Sequence, residues 1–189
     1  MEKIYVFMAN GFEDIEALAP IDILRRGGQT VVTVSINNTL EVESAHGVTV
    51  LADTTFDQAG DFSDADLLML PGGMPGAANL DMHDGVRKAL LRQAQQGKMI
   101  GAICAAPFIL GKLGILKGRQ ATCYPGFENY LDGADYTARL VTVDGNIITG
   151  RGPGAAMAYG YTLLRCLGFA EAADKLQEGM IFNQLRGER

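Results

Sequence analysis

The chain has 189 residues, of which 48% are hydrophobic types and 20% are charged, an ordinary balance for one globular domain with a real core. Its net charge at pH 7 is −6 with no basic cluster to offset it, which excludes electrostatic binding to nucleic acid or to anionic lipid. No apolar stretch approaches the roughly 18 residues of a membrane span, and the opening run Lys3–Ala9 is too short for a signal h-region. Three cysteines, an odd number without an export signal, fit reduced thiols in the cytoplasm.

In chain order, Lys3 to Met8 reads as a strand and Glu13 to Arg26 as a helix closed by Gly27-Gly28. Thr30 to Ser35 is a strand. Leu40 to Val42 with Val48 to Ala52 suggests a small hairpin. Leu67 to Leu70 is a buried strand that ends in Pro71-Gly72-Gly73. Asp84 is placed as the cap of a helix running to Gln96, with Val86, Leu90, Leu91 and Ala94 on one face. Met99 to Ile103, apolar and uncharged, is a further buried strand, followed by a helix from Ala105 to Leu113 with Pro107 in its first turn. A strand at Gln120 to Thr122, a hairpin over Val141 to Ile148 turning at Asp144-Gly145, and helices at Pro153 to Leu167 and Ala170 to Glu178 complete the chain. This alternation predicts an α/β sandwich around a mostly parallel sheet, and the absence of repeats or linkers predicts a single domain over 1–189. Ligands in such folds bind at the carboxyl ends of the strands, so Asn10-Gly11, Gly72-Gly73 and Cys104 are expected to share one crevice.

Cys104 falls on the corner between a strand and a helix, with Ala102 and Ala106 two residues to either side. That is the steric requirement of a nucleophile elbow, which pushes its side chain out of the backbone and aims the helix N-terminus at it. Such surroundings favour thiolate over thiol. Glu16 is the second candidate: on a helical wheel it lies between Ile23 and Pro20, with Ala19 and Pro20 where a helical cation would have to be. A carboxyl on an apolar face without a counter-charge has its pKa raised, and when neutral it donates a hydrogen bond to a thiolate. The glycines of Leu70-Pro71-Gly72-Gly73-Met74-Pro75-Gly76 allow backbone N–H groups to converge on an oxyanion.

Other features are set aside. Gly150 to Ala155 matches the dinucleotide fingerprint, but Pro153 removes an N–H that a pyrophosphate would need, and position 174 is an Asp inside a helix rather than at a strand end. His46 and His83 are too few and too poorly spaced for a metal site, and Cys123 and Cys166 read as small core residues.

The segments GFEDIE (11–16), DILRRGG (22–28), LPGG (70–73), AICAAP (102–107) and RGPG (151–154) together resemble the ThiJ/PfpI superfamily, nearly end to end. The resemblance implies a flavodoxin-like three-layer sandwich of the class I glutamine amidotransferase type and a homodimer. It also implies a site in which Cys104 meets a protonated Glu16, with Gly72, Gly73 and Ala105 around the oxyanion position. Activities implied are cofactor-free and metal-free: a glyoxalase or deglycase acting on small dicarbonyls such as methylglyoxal or their early adducts. The alternative is a peroxide-responsive redox sensor or chaperone using the same cysteine. Two positions depart from the family. Tyr124 stands where several members carry a histidine, and is given the role of orienting substrate. Cys104 is followed by Ala105, where the protease branch has histidine. Without a Cys–His pair there is no proton for a poor leaving group, so peptide-bond hydrolysis is rejected.

Overall fold

The computed structural model describes residues 1–185 and 187. The elements in order are β1 (Lys3–Met8), α1 (Asp14–Arg26), β2 (Thr30–Ser35), β3 (Glu41–Glu43), β4 (Thr49–Leu51), β5 (Thr54–Thr55), β6 (Leu67–Leu70), α2 (Gly76–Met82), α3 (Asp84–Gln95) and β7 (Met99–Ile103). They continue with α4 (Pro107–Lys112), β8 (Gln120–Ala121), β9 (Asp135–Tyr136), β10 (Val141–Asp144), β11 (Ile147–Gly150), α5 (Ala156–Cys166), α6 (Ala170–Gly179) and α7 (Phe182–Leu185). Seven strands form one sheet in the order β10-β11-β7-β6-β1-β2-β5. Every neighbouring pair is parallel except β10 with β11. The expected flavodoxin-like sandwich is therefore the fold.

Helices cover both faces of the sheet, which is why its inner strands are apolar throughout rather than alternating. The period of two survives in where each residue goes. Tyr5 and Phe7 of β1 pack on one face with Leu68, Leu70, Leu90 and Phe108, under α2, α3 and α4. Ile4, Val6 and Met8 pack on the other with Leu67, Met69, Ala17, Leu24, Tyr159 and Leu163, under α1 and α5. Two cores back to back hold the strand ends in fixed register, with Leu70 level with Ala102 across β6 and β7.

Several element ends differ from the sequence reading. Glu13 caps α1 rather than opening it, accepting the Glu16 N–H at 2.8 Å. His83, not Asp84, caps α3, its Nδ1 accepting from the Val86 N–H at 3.2 Å. Leu91 points out of α3, whose buried residues are Val86, Ala89, Leu90 and Gln93. The helix after Cys104 begins at Pro107, because Ala105 and Ala106 are used by the turn. The helix expected from Pro153 opens with a 3₁₀ turn over Pro153–Ala155. Helix α2 has no counterpart in the sequence reading: its first residue is a glycine in a Pro/Gly-rich loop, and Gly76 is there because a side chain would strike Gly11.

Candidate functional site

Three loops meet at the carboxyl edge of the sheet: those after β1, β6 and β7. Cys104, directly after β7, has φ of +64°. A non-glycine residue in this left-handed region costs about 1–3 kcal/mol and persists only where its neighbours hold it. Here the Cys104 N–H donates to Gly150 O at 2.9 Å, and the Cys104 carbonyl accepts from the Tyr124 N–H at 2.8 Å. The corner is an elbow, as its flanking alanines indicated. The backbone N–H groups of Ala105 and Gly73 lie near enough to its sulfur to favour the thiolate.

Glu16 lies in the first turn of α1, wholly buried. Its Oε2 accepts from the Gly72 N–H at 3.1 Å, while Oε1 has no fixed hydrogen-bond partner among the described residues. The carboxyl also lies close enough to the Cys104 thiol for each group to shift the pKa of the other. Gly72 has to be glycine, since a Cβ there would fall on Glu16 Oε2 and 2.6 Å from Cys104 Cβ. Gly73, with φ of +88°, turns the chain so that its own N–H faces the sulfur. Gly72 and Gly73 therefore divide the work expected of them jointly. The Gly72 N–H is spent on the carboxyl, and the oxyanion position is left to Gly73 and Ala105.

Burial pushes the Glu16 carboxyl from its ordinary 4.5 up to about 7, helped by the charge of Glu13 and opposed by hydrogen bonds from Cys104 and Gly72. Burial also pushes the Cys104 thiol up, as do the Glu16 charge and the hydrogen bond to Glu16; the Ala105 and Gly73 N–H groups pull it down. The thiol of this resting pair is thus raised where the sequence pointed to a depressed one. The Ala105 and Gly73 N–H groups pull in the expected direction, but burial above all, and then the Glu16 charge, outweighs them. When Glu16 holds the proton, both of its upward contributions vanish, and its O–H becomes a donor to sulfur. The two groups form one proton-sharing unit.

Tyr124 sits at the rim, 46% exposed, tied to the corner by its backbone. Its ring lies over Gly152 and lines a cavity of about 210 Å³ with Pro125, Leu140 and Arg151. Gly150 belonged to the rejected dinucleotide fingerprint; its carbonyl instead anchors the Cys104 backbone. Neither histidine joins Cys104. His83 caps α3, and His46 Nδ1 pairs with Asp14 Oδ2 at 2.7 Å. The donor atoms of Glu13, Asp14 and His46 lie within 4.8 Å of one another, a convergence that sequence spacing could not reveal. Their bonds to Glu16 N–H and to each other already account for it. Burial pushes the Cys123 thiol up to about 12, and that of Cys166 upward as well. All three cysteines are free.

The DJ-1/PfpI family profile matches residues 2–166. Protein DJ-1 homolog B of Arabidopsis thaliana is 37% identical over 99% of this chain and 43% of its own length. The chain thus spans less than half of that relative. The Parkinson disease protein 7 homolog of Danio rerio is 32% identical over 95% of this chain and 97% of its own. Among solved structures, oxidized Toxoplasma gondii DJ-1 superposes with a TM-score of 0.91 at 34% identity, covering 96% of this chain and 98% of that one. The chain belongs to the DJ-1/PfpI family.

The raised Glu16 carboxyl has a consequence for stability. A group whose folded pKa lies above its unfolded value contributes stability that is complete below the unfolded value and is lost as pH rises through the folded one. Glu16 should therefore cost the fold about 3 kcal/mol between pH 4.5 and 8, from a shift of 4.5 to about 7 at about 1.4 kcal/mol per pH unit. Urea unfolding of wild type and Glu16→Gln across that range checks it. The wild type should lose stability relative to the variant as pH rises, and parallel curves would contradict the buried neutral carboxyl.

Proposed function

We propose that the chain is a cofactor-free, cysteine-dependent enzyme acting on reactive dicarbonyls or their early adducts. The observation that carries this reading is the Cys104 sulfur at a strained corner, with the Gly73 and Ala105 N–H groups on it and a carboxyl that titrates near 7 against it. A carboxyl tuned to the working pH both gives and takes a proton, as general acid–base work requires. With methylglyoxal, the Glu16 carboxylate takes the thiol proton as Cys104 sulfur bonds to the aldehyde carbon, and the carbonyl oxygen becomes an oxyanion facing the two N–H groups. Glu16, now neutral, gives that proton to the oxyanion. The resulting carboxylate removes the hydrogen on that same carbon, leaving an enediolate, and after a proton passes from one enediolate oxygen to the other Glu16 returns its proton to the neighbouring carbon. The thioester so formed is cut by water to lactate and free thiol. One water is added in all; one carbon is oxidised and its neighbour reduced, so no external redox partner is needed. Tyr124 orients the substrate at the rim.

A relative named Deglycase PfpI, from Pyrococcus furiosus, is 33% identical over 83% of this chain and supports the carbonyl-adduct class. The three free cysteines suit a reducing cytoplasm. Among the described residues, no helix is long and apolar enough to cross a membrane. A homodimer is supported by exposed Ile15 and Leu18 on α1 and by exposed Val48 and Leu51 of the β3–β4 hairpin. The hairpin is tied to the entry of α1 by the Gly11 N–H donating to Glu43 O at 2.8 Å.

Metal-free protein should convert methylglyoxal to lactate without glutathione. Cys104→Ser should abolish this, and Glu16→Gln should lower turnover by about 10²-fold or more, since an amide donates but does not carry a proton. Equal traces for wild type and Cys104→Ser would overturn the enzyme.

The second reading is a peroxide sensor, favoured by a solved relative described as oxidized and by a neutral Glu16 able to hold a sulfinate. Dilute peroxide should then add two oxygens at Cys104 before Cys123 or Cys166, read by peptide mass spectrometry. Even oxidation of all three would remove it. Light scattering should give twice the 20.2 kDa chain mass at micromolar concentration, and the monomer mass would refute the dimer.

A further inference from the structure

The order of strands in the sheet fixes where a substrate held on Cys104 can extend. Strand β7, which delivers Cys104, lies between β6 and β11. Glu16 and the Gly73 N–H occupy the β6 side: Gly72 and Gly73 follow β6, and a Cβ on Gly72 would meet both Glu16 Oε2 and Cys104 Cβ. A carbonyl carbon on the sulfur, with its oxygen toward Gly73 and Ala105, leaves the β11 side for the rest of the molecule. On that side lies the cavity of about 210 Å³ walled by Tyr124, Pro125, Leu140, Gly152, Pro153 and Gly154. Its walls hold the corner itself. The Tyr124 N–H donates to Cys104 O at 2.8 Å, and Gly152 comes two residues after Gly150, whose carbonyl accepts from the Cys104 N–H at 2.9 Å.

The cavity is apolar, and its walls are pinned. Leu140 is left 61% exposed there. Arg151 fixes it, its backbone N–H donating to Leu140 O at 2.9 Å and its guanidinium to the Ala138 carbonyl. That guanidinium is the one charge among the lining residues, and it is turned to the Ala138 carbonyl. The Tyr124 ring rests on Gly152, where a Cβ would stand 3.1 Å from Tyr124 Cδ2. Gly154 is different, because nothing in the fold requires a glycine there. Its φ is not left-handed, and no atom beyond its chain neighbours lies within 4 Å of the place a Cβ would take. What the missing side chain does is keep the cavity open. An apolar cavity of about 150 Å³ is enough to hold benzene, so this one has room for a ring, and the Tyr124 ring offers it a face.

We propose that this cavity is the subsite for the substituent on the ketone carbon of the dicarbonyl, and that it takes a neutral, apolar, ring-sized group. The inference deepens the dicarbonyl reading and rests on it for the reacting end of the substrate. The chain then prefers a 2-oxoaldehyde carrying a ring to methylglyoxal. The covalent steps are unchanged: the ring stands where the methyl group stood, one water is added, and the product is the matching 2-hydroxy acid.

Two measurements separate the subsite from the chemistry. In the first, kcat/KM for cyclohexylglyoxal is divided by that for methylglyoxal; both ketones carry an alkyl carbon, so the two aldehydes react alike. The ratio should exceed about 10 in the wild type, the least that added contact in an apolar pocket supplies. It should fall about tenfold or more, through KM, when Gly154→Leu fills the cavity or Leu140→Glu charges it. Gly154→Leu meets open space on an unstrained backbone and should fold, and in a ratio any loss of folded protein cancels. A smaller wild-type ratio, or one that either variant leaves in place, overturns the subsite. In the second, 1-cyclohexylethanone, which has no aldehyde to react, is titrated into Cys104→Ser carrying nitrogen-labelled glycine. The Gly152 amide signal should shift, and adding Leu140→Glu should abolish the shift. An unmoved Gly152 signal, or a shift that Leu140→Glu leaves in place, overturns the subsite even if methylglyoxal is turned over. A Gly152 shift that Leu140→Glu abolishes, without turnover of either dicarbonyl, upholds the subsite and refutes the enzyme alone.

Discussion

A carboxyl wholly buried without a cation, pressed against a cysteine, is the interaction on which the rest of this site depends. In water Glu16 would be ionised at neutral pH. At this position burial holds it near the midpoint of its titration. An isolated charge in such a place is costly enough that the carboxyl keeps its proton part of the time at neutral pH, so the site holds an exchangeable proton beside a sulfur. Everything close by serves that arrangement. The Gly72 N–H holds one carboxyl oxygen and leaves the other free, and the absence of a side chain on Gly72 lets the two functional groups touch.

The cost of this arrangement is carried by the sheet. Cys104 keeps a left-handed backbone because its N–H is taken by Gly150 at the end of β11 and its carbonyl by Tyr124. Gly150 ends a core strand and Tyr124 follows the buried Ala121–Cys123 segment, so the corner cannot relax without disturbing them. Gly73 reaches the same place from the end of β6, and Glu16 from the helix after β1. Three neighbouring parallel strands, β7, β6 and β1, therefore each deliver one part of the site at the same edge. A parallel sheet does this by construction, since all its strands end on the same side.

The proton-sharing pair also explains why one set of residues fits two chemistries. A neutral carboxyl beside a thiolate stabilises a hemithioacetal oxyanion by proton donation, and by the same donation it would hold a sulfinate. What separates the two is whether the proton returns, which depends on the substrate and not on the corner.

The sequence by itself determined the inner strands of the sheet, the corner at Cys104 and the two residues that meet there; the short edge strand β5 escaped it, being only two residues long. Runs such as Leu67–Leu70 and Met99–Ile103 are legible because strands buried on both faces must be apolar throughout, and both occupy the expected positions. Cys104 and Glu16 are legible because small flanking residues and a missing helical cation are local patterns. Only the tertiary structure decided how the glycine N–H groups are divided, that Gly150 anchors the Cys104 backbone, and that burial, with the Glu16 carboxyl beside it, raises the thiol. These depend on distances between residues far apart in the chain, and a carboxyl's effect on a thiol is set by such a distance. Helix α2 was hidden for the same reason: Gly76 looks like a loop residue until Gly11 is seen packed against it.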